Sequence, residues 1–245
     1  NGPHKQEVSY NGSFNYNVRD ISQSLTYNPT TSVYTYQPVN IHGGYTWSNA
    51  LNYSRFLDEK QRWTVQSNAS AMLHHSVDHT MFAGETESHL NAVNTLNMSE
   101  KAHIQYNRDA LNIRATGSIS WRHSKGKMLD FDVLNAMDYQ YGLNGSYTIP
   151  QLKTTLSVDA CMYCRQGYGS SELNTNDFVL NASLSQSLFK GKLIARIEAF
   201  DLFHQLSSTQ YEVNAQGRTE TWYRSLPHYV MAHLVYHWNK NPKKK

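Results

Sequence analysis

Apolar and polar residues alternate one for one along most of this chain, over stretches too long for ordinary globular strands. Between residues 152 and 164 the even positions are Leu152, Thr154, Leu156, Val158, Ala160, Met162 and Cys164. The odd positions are Lys153, Thr155, Ser157, Asp159, Cys161 and Tyr163. Side chains of an extended strand project alternately to opposite sides, so this segment has one apolar and one polar face. The same split sets Leu111, Ile113, Ala115, Ile119 and Trp121 against Asn112, Arg114, Thr116, Ser118, Ser120 and Arg122. It recurs over 133–149, 193–199 and 230–238, and more weakly over 8–18, 45–57, 63–73, 90–106 and 178–188. That makes about ten strands of roughly 10–15 residues, where globular strands average ~5–6 and a tilted bilayer-crossing strand takes ~9–11.

The connections follow a second rule. Tight turns fall at 58–60, 107–109, 149–151 and 189–191, and longer polar loops at 20–43, 76–87, 124–132, 166–176 and 204–227. Short and long connections therefore alternate, as in outer-membrane barrels with short periplasmic turns and long external loops. Every proline (Pro3, Pro29, Pro38, Pro150, Pro227, Pro242) falls outside the interior of these strands, as an unbroken ladder requires. The expected fold is all-β: a transmembrane antiparallel up-and-down β-barrel over residues 1–239, with a lysine-rich periplasmic tail at 240–245.

Averages conceal this pattern. Mean hydropathy is −0.63 over 245 residues and 39% of the chain is hydrophobic, values that on their own suggest a protein dissolved in water. The longest apolar run is only 160–164, far below the ~20 residues of a transmembrane helix. The formal net charge is +3, and Lys240, Lys243, Lys244 and Lys245 account for much of it. No basic face for nucleic acid follows. Cys161 and Cys164 lie three apart on a strand and so face opposite sides, which argues against a shared disulfide or metal. His74, His75, His79 and Asp78 cluster near a strand end without a further ligand, and neither a metal nor another cofactor is expected. No nucleophile elbow, Ser-His-Asp order or carboxylate pair stands out, so the chain is not expected to be an enzyme.

Three residue sets follow from the alternation. Trp63, Tyr106, Trp121, Tyr147, Tyr236 and Trp238 lie towards strand ends on apolar faces, where aromatic girdles sit at a bilayer's two interfaces. Arg114, Arg122, Asp138, Asp159, Arg165, Arg196 and Glu198 lie on polar faces and are expected to line the lumen. Tyr27, Tyr34, Tyr36, Tyr168 and Tyr211 fall in the loops and are the candidate ligand contacts.

The C-terminal third carries a family resemblance. "KGKL" at 190–193, "FDL" at 200–202, "NAQGRTETW" at 214–222, "LPHYVM" at 226–231 and the lysine tail resemble the end of Bacteroidetes TonB-dependent receptor-like outer-membrane barrels. "MYCRQGY" at 162–168 extends the likeness more loosely. The resemblance implies the C-terminal part of a larger barrel that, with an upstream plug domain, imports a nutrient using energy delivered by TonB. The implied partners are outer-membrane lipid, the rest of the barrel and its plug, TonB indirectly, and a surface lipoprotein. The chain departs from the usual pattern where "NKNPKKK" follows Trp238 instead of ending on the aromatic. The competing expectation is a free-standing small outer-membrane barrel with a structural or adhesin role. A barrel enzyme and a secreted soluble β-protein are more distant ones.

Overall fold

A computed structural model describes residues 5–82, 84–126, 133–169, 171–206, 209–214, 217–223 and 228–238, the side chains of 209–220 and 222 excepted. In chain order the strands are β1 (Gln6–Tyr16), β2 (Asp20–Asn28), β3 (Val33–Ile41), β4 (Tyr45–Phe56), β5 (Trp63–Thr80), β6 (His89–Arg108) and β7 (Leu111–Gly126). They continue as β8 (Leu134–Ile149), β9 (Thr154–Gln166), β10 (Asn176–Leu188), β11 (Leu193–Phe200), β12 (Thr209–Asn214), β13 (Gly217–Trp222) and β14 (Tyr229–Tyr236). Two 3-10 turns, Ser171–Leu173 and Phe189–Gly191, complete the described elements. No described helix is long and apolar enough to cross a membrane, which says nothing about crossing by strands.

Ten strands form one antiparallel sheet in the order β1-β4-β5-β6-β7-β8-β9-β10-β11-β14. The sheet is open, and among the described residues no ladder joins β1 to β14. Four tight turns lie at one rim and every long connection at the other. Each tight turn holds a non-glycine residue in the left-handed region: Gln61 (φ 53°), Asp109 (φ 47°), Lys153 (φ 52°) and Lys190 (φ 57°). A residue of this kind closes a short hairpin whose turn must match the strands' twist.

Three expectations need correction. The segments 20–43 and 204–227 are not irregular loops, since they hold the separate hairpins β2–β3 and β12–β13. Alternation is hard to see in β2–β3 because most side chains on both of its faces are exposed. Pro38 consequently lies inside a strand, β3, opposite Gln23. It is tolerated because β3 pairs on one side only, so the missing N–H costs no second ladder. The strands β5 and β6, of 18 and 20 residues, also run further towards the long-connection rim than alternation suggested.

The register staggers steadily. One line of paired residues runs Trp63, Tyr106, Ile113, Gly145, Val158, Ala182, Ala199, Val230. Trp63 opens β5 at the tight-turn rim, whereas Val230 stands at the long-connection rim. The line climbs about one residue per strand, ~3.3 Å for each ~4.8 Å step, which tilts the strands by roughly 35°.

Very little of the chain is buried. Its exposed surface is 17191 Å², about half as much again as the ~11,000 Å² of a compact monomer of this mass. What core exists lies beneath the long-connection rim, where Val93, Leu134, Ala136, Cys164, Leu173 and Val179 are buried. Elsewhere the apolar face is uncovered: Leu234 is 77% exposed, Tyr10 65%, Tyr141 57% and Leu143 55%.

The β4–β5 turn shows how the tight rim is held. Asp58 Oδ1 accepts the backbone N–H groups of Arg62 (2.7 Å) and Trp63 (2.8 Å), and its Oδ2 accepts Arg62 Nε at 2.9 Å. These bonds, the one from Trp63 foremost, lower the Asp58 pKa. A lowered folded-state pKa stabilises fully above the unfolded value and is lost as pH falls through the folded one. Amide exchange at Arg62 and Trp63 should therefore be faster in Asp58→Ala at neutral pH. Wild type and variant should converge as pH falls below about 4.

Candidate functional site

The two faces of the ten-stranded sheet differ in chemistry and in shape. Arg114, Arg122, Asp138, Asp159, Arg165, Arg196 and Glu198 all project to the same polar face, as alternation and register require. That face is concave. One hollow of about 360 Å³ is bounded by side chains from six successive strands, β7 to β11 and β14. Two more, about 370 Å³ and 280 Å³, open on the same face.

Neighbouring side chains, on the next strand or two residues along the same one, satisfy much of this wall. Arg114 Nε donates to Gln105 Oε1 at 3.0 Å, and Arg122 Nε to Asn97 Oδ1 at 3.0 Å. Arg196 Nη1 donates to Glu198 Oε1 at 2.9 Å, and His233 Nε2 meets Glu198 Oε2 at 3.0 Å. Asp138 lies opposite Arg165 in the ladder. Bonds to charged partners are the stronger kind, and below the buried Val93, Leu134, Ala136 and Val179 they fix the side chains of this wall.

At its upper end the wall meets the loops. Tyr168 does not reach outward as a rim contact. Its hydroxyl bonds both oxygens of Asp138, at 2.9 and 2.7 Å. Burial first, then the bond to the Asp138 carboxylate, raises the phenol's pKa well above its usual 10. Gly167 beside it sits at φ +80°, and a Cβ there would lie 2.2 Å from the Asn135 carbonyl oxygen. Asp201 ties down the connection after β11. It is fully buried and accepts the backbone N–H groups of Gln205 (3.2 Å) and Leu206 (3.0 Å). Its own N–H donates to Asn181 Oδ1 at 2.9 Å.

The remaining rim tyrosines are placed differently. Tyr27 and Tyr34 face each other across the β2–β3 hairpin with ring centroids 4.6 Å apart, and Tyr36 is 65% exposed. The hairpin leans on the β5–β6 connection: Tyr27 N–H donates to the Thr86 carbonyl at 2.7 Å and Ser88 N–H to Leu25 at 2.8 Å. Tyr211 falls in β12, and its side chain lies outside the described residues. The tail 240–245 also lies outside them.

The apolar face carries the expected aromatics. Near the tight-turn rim Trp63 and Tyr106 pack at 4.7 Å, while Tyr147 stands opposite Leu111 and Leu156. Tyr236 and Trp238 are 6.3 Å apart, with Trp238 just past the last strand. Near the other rim Trp121 Nε1 donates to Asn135 Oδ1 at 2.6 Å, and Trp47, which the sequence reading did not single out, lies opposite Leu73. Along β5 ten residues separate Trp63 from Leu73, roughly 25 Å of height at this tilt and about that of an outer-membrane barrel's apolar band. Glu100 is an acidic interruption of that band, opposite Ala69 and Ile119, with Ser67 Oγ donating to it at 2.6 Å.

The histidine cluster is divided by the strand. His74 and Asp78 project to the polar side and His75 and His79 to the other. His74 meets Thr46 Oγ1 at 2.8 Å, and His75 stacks on Tyr45 at 4.9 Å. The thiols of Cys161 and Cys164 are likewise free, on opposite faces.

Sequence reasoning missed the line of side chains that crosses the polar face at one level of the ladder. Thr64, Gln105, Arg114, Asn144, Asp159 and Asn181 are consecutive cross-strand partners. At the end of that line Phe200 stacks on Tyr229 with centroids 5.3 Å apart. Alternation gives each of these residues its face, but not its neighbour.

Two substitutions test this upper wall. Tyr168→Phe removes bonds to a charged acceptor, costing about 1–3 kcal/mol, and should hasten proteolysis of the 167–175 connection. The phenol's raised pKa means this stabilisation is intact below about pH 10 and lost as pH rises through the folded value. Phenolate absorbance should accordingly lag that of free tyrosine. Gly167→Ala meets both backbone strain and a carbonyl, and should cost about 2–4 kcal/mol in a denaturant titration.

No protein-family model matches the chain, and neither does any curated protein or solved structure.

Proposed function

We propose that this chain is the wall of a Gram-negative outer-membrane β-barrel, from a TonB-dependent receptor-like nutrient importer. The observation that carries the reading is a long-stranded sheet with one uncovered apolar face and one concave hydrogen-bonded polar face. In water such a sheet would leave its apolar side without a partner, whereas in a bilayer lipid covers it. The stagger of about one residue per strand supports closure, because a barrel forms only from tilted strands. Edge strands β1 and β14 pair with further strands, so that the backbone is satisfied throughout the apolar medium.

The rims have separate roles in this reading. Tight turns held by groups such as Asp58 face the periplasm, and the long connections face outward. The paired rings of Tyr27 and Tyr34, with Tyr36 beside them, offer ligand contacts at the outer rim. The polar wall faces a plug and the transported ligand, while a surface lipoprotein would meet the outer loops. TonB acts through the plug and not on this wall.

A second reading draws on one specific observation. Ten is an even number of strands, and the sheet's first and last strands both reach the tight-turn rim, so the sheet could close on itself as a small structural or adhesive barrel.

The membrane reading is tested by heat-modifiable gel mobility of the detergent-extracted protein. A monomer that stays soluble without detergent and shows no such shift would sink it. A face-specific substitution sharpens the test. Leu143→Arg, mid-height on the apolar face, should cost about 2–4 kcal/mol of stability in bilayers. Ser146→Arg, on the polar face, should cost far less. Equal penalties would count against lipid on the Leu143 side.

A further inference from the structure

The four tight turns share a composition that closing a hairpin does not require. Each holds a basic residue within three positions of an aromatic residue or a leucine. Lys60 lies between Leu57 and Trp63, Arg108 follows Tyr106, Lys153 follows Leu152, and Lys190 and Lys192 follow Phe189. Leu152 is 60% exposed and Phe189 73%, and the four lysines are exposed as well. Lys153 and Lys190 hold left-handed backbone (φ 52° and 57°), which glycine or asparagine adopts at less cost. The turn alone does not explain a lysine at either place.

The acidic residues of these turns are mostly taken up inside them. Asp58 holds Arg62 at 2.9 Å and Asp109 lies 3.7 Å from Arg108, which leaves Glu59 outside such a pair. Lys60, Lys153, Lys190 and Lys192 form no ion pair among the described residues. The opposite rim has the reverse balance: the connections 81–88 and 167–175 contain Glu85, Glu87 and Glu172 and no lysine or arginine.

We infer that the tight-turn rim binds the headgroup phosphates of anionic phospholipids in the leaflet it meets, and so sets the depth of the wall in the bilayer. The inference rests on the reading of this chain as an outer-membrane barrel wall with its tight turns towards the periplasm. The pairing of charge with apolar surface selects this partner. A soluble polyanion needs cations alone, and the apolar residue near each of them would go unused. A neutral lipid covers the apolar residues but gives the lysines no counter-charge. An anionic phospholipid supplies both, acyl chains against the apolar face and a phosphate just beyond them. A lysine stem lies along apolar surface while its ammonium reaches the headgroup, at the level where interfacial aromatics sit. Cations within a Debye length of an anionic surface, ~10 Å at 0.1 M salt, add their attraction.

The ladder makes these cations one continuous patch. Along the line of partners that starts at Trp63, Tyr106 is two residues from the end of β6, Gly145 four from the end of β8 and Ala182 six from the end of β10. The turns thus descend from that line as fast as the line climbs, about one residue per strand. With the strands tilted accordingly, all four turns lie at one level, as contact with a single leaflet requires.

The test reconstitutes the full-length protein in phosphatidylcholine vesicles, with heat-modifiable mobility as the check of folding. Tryptophan fluorescence, to which Trp63 contributes from this rim, is quenched with brominated phosphatidylglycerol or brominated phosphatidylcholine. Phosphatidylglycerol should be favoured about fivefold or more at low salt, and the preference should shrink at high salt. Combining Lys60→Gln, Lys153→Asn, Lys190→Asn and Lys192→Gln should abolish it, asparagine being suited to the left-handed backbone. Lys125→Gln, at the other rim, should leave it intact. Equal quenching by the two lipids in a heat-modifiable protein overturns the inference and leaves the barrel reading standing. A preference that survives the four lysine substitutions, or that Lys125→Gln removes, also overturns it. Loss of the preference to millimolar glycerol 1-phosphate does the same, since the rim would then be a site for free phosphate esters. Absence of heat-modifiable mobility overturns the barrel reading and the inference with it.

Discussion

The pairing of every central strand on both sides is the constraint from which the rest of this structure follows. Eight of the ten sheet strands have two partners each, so their backbone groups are spent within the sheet and only side chains remain to meet the surroundings. With alternation, those side chains sort into two populations that share almost no contacts. One population carries Trp47, Trp63, Trp121 and Leu143, and the other Arg114, Asp138, Asp159 and Glu198. A helix could not separate them this way, since its backbone closes on itself and presents a single curved surface. The ladder is also what lets so long a chain keep its shape with so few buried residues.

The polar side shows how a wall whose apolar core is confined to one rim is ordered. Its arginines and carboxylates do not point freely into space. Gln105, Asn97 and His233 hold them from adjacent strands, Arg196 holds Glu198 from two residues away on the same strand, and Tyr168 reaches in from a loop to hold Asp138. Such bonds contribute modestly each, but losing one partner leaves the other unmet. The wall is therefore pre-organised, and a hollow in it keeps its shape.

How much of this was legible in the sequence depends on the range of the physics involved. Alternation is local, so the ten strands, their faces and the tight turns at 58–60 and 107–109 could be read residue by residue. The placing of Arg114 and Asp159 on one side followed from the same rule. The β2–β3 hairpin was not legible, because most of its residues are exposed on both faces and Pro38 looked like a strand breaker. Tyr168 was assigned to the loop surface because nothing in "CRQGY" reveals that Asp138, thirty residues earlier, lies within reach. The row from Thr64 to Asn181 escaped for the same reason: it depends on register, which the ladder sets between strands far apart in sequence.

The stagger of the ladder has a consequence for how damage would spread. Since each line of paired residues climbs as it crosses the sheet, it behaves like one thread of a screw. A two-residue slip in any hairpin would preserve the faces of all its side chains, and so would escape a test of amphipathicity. It would nevertheless break every thread that crosses that hairpin and join each to the one above or below. Asn144 would then no longer meet Asp159, though both would still face inward. The left-handed residues in the four tight turns act as detents against that kind of error, and the polar belt depends on all of them at once.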